Sequence, residues 1–257
     1  MKIRLLGTGT SQGVPVIGCD CKVCQSANAK DKRLRTSAML SWDNHKVVID
    51  CGPDFRSQML RAKVKEIDGI LFTHEHADHT AGLDDIRPLY FRRKKPIPIY
   101  ALPRVIDNLK KRYDYIFTKE NRYPGAPEVA VHNIEPGQEI QIGGKKITAL
   151  AVQHGPLPIL GYKFGNAAYL TDVKYLPEET MIALQNLDVL IINALHHKEH
   201  KMHLNLKESL ALIKELQPKK AVLIHISHYM GLYDEVAPKL PKNVVLSYDE
   251  MEIDLSF

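Results

Sequence analysis

The fold is decided by the segment Thr73-His-Glu-His-Ala-Asp-His-Thr80, which directly follows the apolar run 69–73. The run is typical of a β-strand, so the polar residues lie on the turn that leaves a strand end, where a rigid backbone holds functional side chains. His74 and His76 are two residues apart and can point the same way from extended chain, whereas Asp78 and His79 must turn to a neighbouring position. Side chains of this kind, so close together, have no packing purpose. The segment therefore predicts a site for two metal ions, each needing further ligands from elsewhere.

Further candidate ligands stand at the ends of other predicted strands. His154 follows the run 147–152, Asp172 closes 167–171 and His225 closes 221–224. Each alone would more often be an ordinary hydrogen-bonded polar group. Because all three end β-type runs, as His74 does, together they predict a metal site at a sheet edge. Imidazole and carboxylate ligands suit zinc, with manganese or iron as alternatives, and an aspartate can bridge two ions.

A second group of candidate metal ligands lies near the start of the chain. Three of the four cysteines, Cys19, Cys21 and Cys24, fall within six residues. A disulfide among them would be strained and would constrain little of the chain. In a cytosolic chain the cluster therefore indicates a metal site. Cys51 is interpreted as a small buried residue.

Composition and charge are those of an ordinary globular chain. The 257 residues are 44% hydrophobic and 25% charged, with 15 Gly and 15 Pro, which excludes disordered and fibrous classes. No apolar stretch approaches the roughly 18 residues of a membrane span, and the chain reaches Gly7 before a signal-peptide region develops, so we expect a cytoplasmic protein without a membrane partner. The net charge of +5 suits an anionic ligand but falls short of a nucleic-acid coat. The basic runs 92–95 and 110–112 are interpreted as solvated charge.

The hydrophobic pattern predicts two similar halves, each with strands and helices. The predicted strands are 2–6, 37–42, 46–50, 69–73, 129–134, 138–152, 160–171, 188–193, 220–226 and 243–255. One helix opens at Pro53, with Phe55, Met59 and Leu60 on one face, and another runs from Pro103 to about 115. Two more cover about 178–186 and 206–217, the last with a capping-box-like start at Asn205 and Glu208. The halves, about 1–135 and 136–257, predict two mixed sheets packed face to face with helices outside, an α/β fold forming a single αββα domain over 1–257.

The sequence resembles the metallo-β-lactamase superfamily over essentially its whole length. The matching pattern is His-x-His-x-Asp-His followed by His, Asp and His near strand ends, and the segments Leu6-Gly-Thr-Gly-Thr-Ser11 and Asp50-Cys-Gly52 fit as well. The resemblance implies the αββα fold and two divalent ions. It implies that His74, His76 and His154 hold the first ion. The second ion would be held by Asp78, His79 and His225. Asp172 would bridge the two ions. The superfamily includes esterases, lactamases, nucleases and oxidoreductases, so membership does not set the substrate.

The cysteine cluster narrows the resemblance. With His228 it would form a closed tetrahedral site for one structural Zn²⁺, because no position is left for water. This combination resembles the phosphoribosyl 1,2-cyclic phosphodiesterase (PhnP-like) subgroup of the carbon–phosphorus lyase pathway, and a relative from pyrroloquinoline-quinone biosynthesis has a similar site. Members of the subgroup form dimers, so the resemblance implies a homodimer. It also implies a binuclear Zn²⁺ or Mn²⁺ phosphodiesterase for small anionic diesters, such as ribosyl cyclic phosphates or 2′,3′-cyclic nucleotides, in which metal-activated hydroxide attacks phosphorus.

Three residues are expected to serve catalysis: His203, Asp78 and Asp50. In the subgroup and in the transfer-RNA 3′-processing endonucleases, a histidine corresponding to His203 contacts the phosphate and assists the leaving group. We favour His203 because a residue at a helix start is well fixed. The competing histidines are interpreted as solvated: His196, His197 and His200. Asp50 is either an acceptor for the N–H of a ligand histidine or a strand-end turn residue.

Three alternative functions stay open. A transfer-RNA 3′-processing endonuclease shares the histidine pattern, but the sequence has no long Gly/Pro-rich insertion for its RNA-binding arm, so nucleic acid is a possible partner that is not favoured. A role in cofactor biosynthesis, like that of the quinone-pathway relative, is the second. The third is a non-catalytic metal-binding protein, against which the complete ligand set argues.

Overall fold

Two β-sheets of seven strands each carry the fold in the computed structural model, which describes residues 1–120 and 122–255. The first sheet contains β1 (Lys2–Gly7), β2 (Ser37–Trp42), β3 (His45–Ile49), β4 (Gly69–Leu71), β5 (Ile97–Ala101), β6 (Val129–Asn133) and β14 (Glu252–Asp254). Its strand order is β14-β1-β2-β3-β4-β5-β6. Strands β14, β1, β2 and β3 pair antiparallel, whereas β3 to β6 pair parallel. The sheet is therefore mixed, as predicted.

The second sheet is also mixed. It contains β7 (Glu139–Ile142), β8 (Lys145–His154), β9 (Leu157–Phe164), β10 (Ala167–Leu170), β11 (Val189–Asn193), β12 (Lys220–Ile224) and β13 (Val244–Leu246). Its order is β13-β12-β11-β10-β9-β8-β7, antiparallel from β7 to β10 and parallel from β10 to β13. The parallel part places the carboxyl ends of β10, β11 and β12 at one edge, where functional side chains collect in sheets of this kind.

Helices connect the strands and cover the outer faces of the sheets. They are α1 (Phe55–Arg61), α2 (Ala77–Thr80), α3 (Arg87–Arg93), α4 (Pro103–Arg112), α5 (Asp114–Phe117), α6 (Glu178–Ala183), α7 (Leu206–Leu216) and α8 (Tyr233–Val236). Short 3₁₀ turns cover Ala29–Asp31, Leu83–Ile86, His228–Met230 and Ala237–Lys239. The predicted capping box of α7 is present, because Asn205 accepts from the Glu208 N–H and Glu208 accepts from the Asn205 N–H. None of the helices in 1–120 and 122–255 combines the length and the apolar character that a bilayer crossing needs.

Two clusters of buried side chains hold the sheets and helices together as layers. One cluster of buried side chains joins the two sheets, with Leu5 and Ile70 from the first and Tyr162 and Ile191 from the second, and it continues outward to helix residues such as Val105. A second cluster packs the outer face of the second sheet against α7 through Leu223 and Leu216. Helices therefore lie outside two sheets that face each other, which confirms the predicted αββα sandwich.

Several predicted boundaries are wrong. The predicted strands 138–152 and 160–171 are each interrupted by a tight turn, at Gly143-Gly144 and at Gly165, whose positive φ angles suit glycine. The predicted strand 243–255 divides into β13 and β14, which lie in different sheets, so the last strand returns to the sheet of the first half.

The helix predictions also need correction. The first helix begins at Phe55 rather than at Pro53. It buries Phe55, Gln58 and Met59, whereas Leu60 is 62% exposed. The helix that opens at Pro103 ends at Arg112 and is followed by the separate α5, and α6 ends at Ala183 instead of 186. Strand β5 was not predicted at all, although it pairs with both β4 and β6.

Candidate active site

The predicted site residues lie where strands of both sheets end. His74 follows β4, His154 is the last residue of β8, Asp172 follows β10 and His225 follows β12. The two sheets face each other, so these strand ends converge on one edge of the sandwich. The short helix α2 then returns the chain and brings Asp78 and His79 to the same place.

Backbone conformation marks this edge as unusual. Asp50, Asp172 and His225 all have positive φ, at 63°, 57° and 56°. Non-glycine residues rarely adopt this left-handed conformation, although Asp and His tolerate it better than branched residues, and it persists where the surrounding structure holds it. The sharp turn at each strand end directs the side chain across the edge of the sheet.

Close packing of backbone adds to this geometry. In the Asp50-Cys51-Gly52 segment, a Cβ atom placed on Gly52 would overlap the carbonyl oxygen of Asp78. The Cys51 N–H donates to the His79 oxygen at 2.8 Å, which ties the segment to α2. Only glycine at position 52 allows the two turns to approach this closely.

The candidate ligand atoms form overlapping groups. Within each of the following groups they lie within 4.8 Å of one another: His74, His76 and His154; His74, His79 and Asp172; Asp78, His79 and His225; His154, Asp172 and His203. The two oxygens of Asp172 face different histidines, with Oδ2 3.3 Å from His79 Nε2 and Oδ1 3.2 Å from His225 Nε2. The structure thus brings together all seven predicted active-site ligands, with Asp172 between the two halves of the cluster. Their role as ligands stays a prediction.

Two buried histidine nitrogens without hydrogen-bond partners indicate that this cluster fits metal ions. His79 Nε2 and His225 Nε2 are buried and have no hydrogen-bond partner of normal geometry, and each points toward carboxylates. A buried polar atom normally has a partner. Imidazole nitrogens and carboxylate oxygens converging in this way are the donor set that Zn²⁺ or Mn²⁺ accepts, so the residues fit two divalent ions.

Hydrogen bonds behind the cluster fix the orientation of the rings. Asp50 is fully buried and accepts from His79 Nδ1 at 2.7 Å, from the Thr73 N–H at 2.8 Å and from the Thr73 hydroxyl at 2.9 Å. His154 Nδ1 donates to the Met202 oxygen at 2.8 Å. A histidine whose Nδ1 carries the proton has a free Nε2 for a metal. Of the two interpretations of Asp50, the geometry favours the acceptor for a ligand histidine.

The charges of the cluster are strongly coupled. Burial opposes a positive charge on His79, but Asp78, Asp172 and Asp50 together raise its pKa well above the usual value. Burial likewise opposes ionisation of Asp172, but His225 and His79 hold its pKa well below the usual value. Burial lowers the pKa of His74, which keeps that ring neutral. Metal binding needs ionised carboxylates and neutral imidazoles, so His79 would have to release its extra proton to bind an ion.

His203 is the candidate histidine that reaches the cluster. Its ring lies 4.6 Å from that of His154 and 4.9 Å from that of His225, and its Nδ1 is 3.5 Å from Asp172 Oδ1. Burial, followed by the charge of His225, lowers its pKa to about 3. His200 lies one ring further out, at 5.0 Å from His203. His196 and His197 lie beyond it, on the outer part of the loop.

The cysteine cluster forms a separate site. The Sγ atoms of Cys19, Cys21 and Cys24 lie 3.3, 3.5 and 3.4 Å from His228 Nδ1, and all four cysteines of the chain are free thiols. The Cys24 N–H donates to Cys21 Sγ and lowers its pKa to about 6, whereas burial raises the pKa of Cys24 to about 11. Four converging donor atoms are the number that a closed tetrahedral zinc site requires.

A three-residue step connects the two sites. His225 directly follows β12 at the active-site cluster, and His228 begins the next turn at the cysteine cluster. The segment between them is held on both sides: the Ile226 N–H donates to the Thr8 oxygen at 2.9 Å, and the Ser227 N–H donates to the Leu195 oxygen at 2.9 Å. The Leu6–Ser11 motif therefore supports this segment rather than facing the metals.

Two arginines that the sequence analysis did not single out hold the segment Thr73–Thr80 in place. Arg104 of α4 forms an ion pair with Glu75 and also donates to the Pro158 oxygen. Arg112 donates to Thr80 Oγ1 at 2.7 Å, although it is exposed like the rest of the run 110–112, as its interpretation expects. Glu75 stands inside the quoted segment and was the available signal, because a carboxylate between two candidate ligands needs a partner of its own.

The strand-end cluster and the αββα sandwich together have the arrangement that is typical of metal-dependent hydrolases. The chain belongs to the β-lactamase superfamily, whose domain matches residues 45–226. The predicted superfamily and the resemblance to the PhnP-like subgroup are confirmed by the relatives that follow.

A protein of Porphyromonas gingivalis named octanoyltransferase is 41% identical over 254 residues, covering 98% of this chain and 51% of the relative. The chain thus spans about half the length of that relative. A crystal structure of a diphosphatase from the PhnP family is 40% identical, with a TM-score of 0.92, and the match covers 99% of this chain and 98% of that chain. The Zn²⁺-bound PqqB from Methylobacterium extorquens has the same fold, with a TM-score of 0.80 at 18% identity over 99% of this chain and 100% of that chain.

Proposed function

We propose that this chain is a binuclear phosphodiesterase that hydrolyses small phosphodiesters, such as ribosyl cyclic phosphates or 2′,3′-cyclic nucleotides. The observation that supports it best is the pair of donor groups joined at Asp172, with His203 at 3.5 Å from the same carboxylate. When bound, two divalent ions supply an activated water at neutral pH and neutralise charge on the phosphate. The net charge of +5 also favours an anionic substrate.

Some site residues would bind the metal ions directly, and others orient the side chains that would bind them. His74, His76 and His154 would bind the first Zn²⁺ or Mn²⁺, and Asp78, His79 and His225 the second. Asp172 would contribute one oxygen to each. Asp50 keeps the proton of His79 on Nδ1, so that Nε2 faces the site.

His203 would contact the phosphate and move a proton to the leaving group. Its Nδ1 faces Asp172, which leaves Nε2 for the substrate. A pKa of about 3 means that the ring is neutral near pH 7 in this environment. A bound phosphate anion favours the protonated ring, since an opposite charge within about 4–6 Å stabilises it. A bound phosphate would thus favour the form of His203 that can donate a proton to the leaving group.

A substrate panel tests the proposal on metal-loaded protein. We expect turnover of small diesters, and we expect His203→Ala to lower kcat by about 10²- to 10⁴-fold for ribose leaving groups. Aryl leaving groups depart without a proton, so the loss on bis(p-nitrophenyl) phosphate should be much smaller. His132→Ala, an exposed histidine on β6, is the matched control. Equal losses on both substrate types would show that His203 binds phosphate without donating a proton.

A diphosphate bond is a second candidate, because the PhnP-family relative at 40% identity is a diphosphatase. Its leaving group is a phosphate, which needs little protonation. A nucleoside diphosphate ester in the same panel distinguishes the two: it should be the better substrate, and His203→Ala should cost it little, if this candidate is correct. Cleavage of precursor transfer RNA alone would instead favour the endonuclease, and no turnover at full metal content would favour a non-catalytic protein.

The remaining expectations belong to the same proposal. The cysteine cluster would hold one structural Zn²⁺ and the active site two ions. Metal analysis should therefore approach three ions per chain. The chain would act as a single domain over 1–257, as a homodimer in the cytoplasm. Light scattering of the purified protein tests the dimer, and limited proteolysis tests the single domain.

A further inference from the structure

A cavity beside the proposed metal site takes no part in the chemistry described above. Its volume is about 510 Å³, and its lining consists of His196, His197, Lys198 and Tyr229. Cavities that hold small molecules usually measure about 300–1,000 Å³. The sequence predicts solvated loop positions for His196 and His197. In the structure His197 is exposed and His196 is half-buried, and both residues line this cavity.

Tyr229 is held in place without being buried. Its side chain is 72% exposed, which is unusual for a large aromatic residue. Its N–H donates to Ser227 Oγ at 3.3 Å, and its ring packs with a centroid 4.0 Å from that of His228. One face therefore rests on the protein, and the remaining surface is available to a ligand.

The opposite wall is fixed to the same turn. His197 Nε2 donates to the Met230 oxygen at 2.8 Å, which attaches the loop 195–204 to the turn His228–Met230. At its base the loop is closed by the Leu195 N–H, which donates to the Leu204 oxygen at 3.0 Å. Both walls of the cavity are thus set before a ligand arrives, which reduces the entropy lost on binding.

Aromatic rings connect this cavity to the proposed metal site. The His196 ring lies 6.1 Å from that of Tyr229 and 6.1 Å from that of His200, and His200 lies 5.0 Å from His203. Two ring contacts therefore separate the cavity wall from the histidine that would face the phosphate. Tyr229, His196, His200 and His203 thus form one continuous row of rings that leads from the cavity to the proposed metal site.

We propose that this cavity binds the nucleobase of a nucleoside phosphodiester, with the base against the ring of Tyr229 and the phosphate at the metal site. This inference rests on the proposed phosphodiesterase function and deepens it by naming the substrate class. Every base has a π-face that stacks on an aromatic side chain. The imidazole of His196 and the ammonium of Lys198 at the rim supply polar partners for base oxygens and ring nitrogens.

A pair of substrates with the same scissile ring tests this subsite. Adenosine 2′,3′-cyclic phosphate carries a base, and methyl riboside 2′,3′-cyclic phosphate lacks it. Tyr229→Ala should lower kcat/KM for the adenosine substrate by about 5- to 100-fold, mainly through KM, and leave the methyl riboside essentially unchanged. Tyr229→Phe should retain the parent values. Phe91→Ala removes another exposed aromatic ring, on α3, and is the matched control. Equal losses on both substrates, or none on either, would overturn the proposal.

Binding without turnover separates this proposal from the function on which it rests. Calorimetric titration of the metal-loaded protein with adenosine 5′-monophosphate and with ribose 5-phosphate should give tighter binding of the former, and Tyr229→Ala should remove the difference. That result supports the subsite even if neither diester is hydrolysed, in which case the proposed phosphodiesterase function fails alone. Equal affinities for the two ligands would overturn the subsite even if both diesters are hydrolysed. If Tyr229→Ala lowers the melting temperature, His196→Ala, which removes the facing ring, should give the same loss of discrimination.

Discussion

The carboxylate behind His79 allows a sharp test of how the site is organised. In Asp50→Asn the amide has nearly the shape of the carboxylate, but one of its two ends becomes an NH₂ donor. The Asn oxygen can still accept from the Thr73 N–H, where Asp50 accepts at 2.8 Å. The NH₂ end then faces His79 Nδ1, where the present distance is 2.7 Å. Two donors cannot share this contact, so His79 would change tautomer and carry its proton on Nε2.

The cost of this change can be worked out. A proton on Nε2 blocks the atom that lies 3.3 Å from Asp172 Oδ2 at the centre of the cluster. Loss of such a hydrogen bond behind a ligand histidine typically weakens metal binding by about 10- to 100-fold. That corresponds to about 1.4–2.7 kcal/mol. The effect should be confined to the ion that His79 would bind, because the cysteine cluster has its own ligands.

A competition titration with a chromophoric chelator measures the affinity of each class of site in the parent and in Asp50→Asn. Asp68→Asn is the matched control, since Asp68 also accepts a backbone hydrogen bond, from the Lys46 N–H at 2.8 Å, in the same sheet. Unchanged affinity in Asp50→Asn would refute the tautomer argument. Equal weakening at the cysteine cluster would show a general loss of structure instead.

Three further predictions concern the bridge, the cysteine cluster and the close approach at the strand ends. Asp172→Ala should lower the occupancy of both active-site ions after gel filtration, because its two oxygens face different histidines, and full retention of both would contradict the bridging role. Cys21→Ser should lower the melting temperature and speed amide exchange in residues 1–30 while sparing turnover by the folded protein, whereas identical melting curves would exclude a structural metal. Gly52→Ala should destabilise the fold by about 1–3 kcal/mol in urea titration, because the new methyl group overlaps the Asp78 oxygen, and an unchanged midpoint would disprove that overlap.

The positions of the site residues follow from the sequence because each ends an apolar run. His74, His154, Asp172 and His225 all stand where a hydrophobic strand pattern stops, and the structure places all four at strand ends. The runs themselves carry less information about where the chain turns. Strands β7 and β8 read as one run, because apolar residues continue on both sides of Gly143-Gly144 and a hairpin preserves the alternation.

Strand β5 shows why some of the fold was missed. Its sequence Ile-Pro-Ile-Tyr-Ala contains Pro98, which lacks a backbone N–H and argues against a central strand. The neighbouring β4 has only three residues and pairs with Ile99 and Tyr100, so it needs no hydrogen bond from position 98. The ion pair of Arg104 with Glu75 was missed for a related reason. Helix α4 can be placed beside the segment Thr73–Thr80 only once β5 is known.

If both clusters hold ions as proposed, the short span from His225 to His228 would link their binding affinities. The Thr8 and Leu195 oxygens accept from the Ile226 and Ser227 N–H groups, so His225 and His228 are parts of one fixed backbone segment. Zinc at the cysteines would therefore favour the backbone conformation in which His225 reaches its ion. By reciprocity, ions at the strand ends would tighten zinc binding at the cysteines by the same factor. The order in which the three ions are loaded should then matter for the rate of assembly and not for the final state.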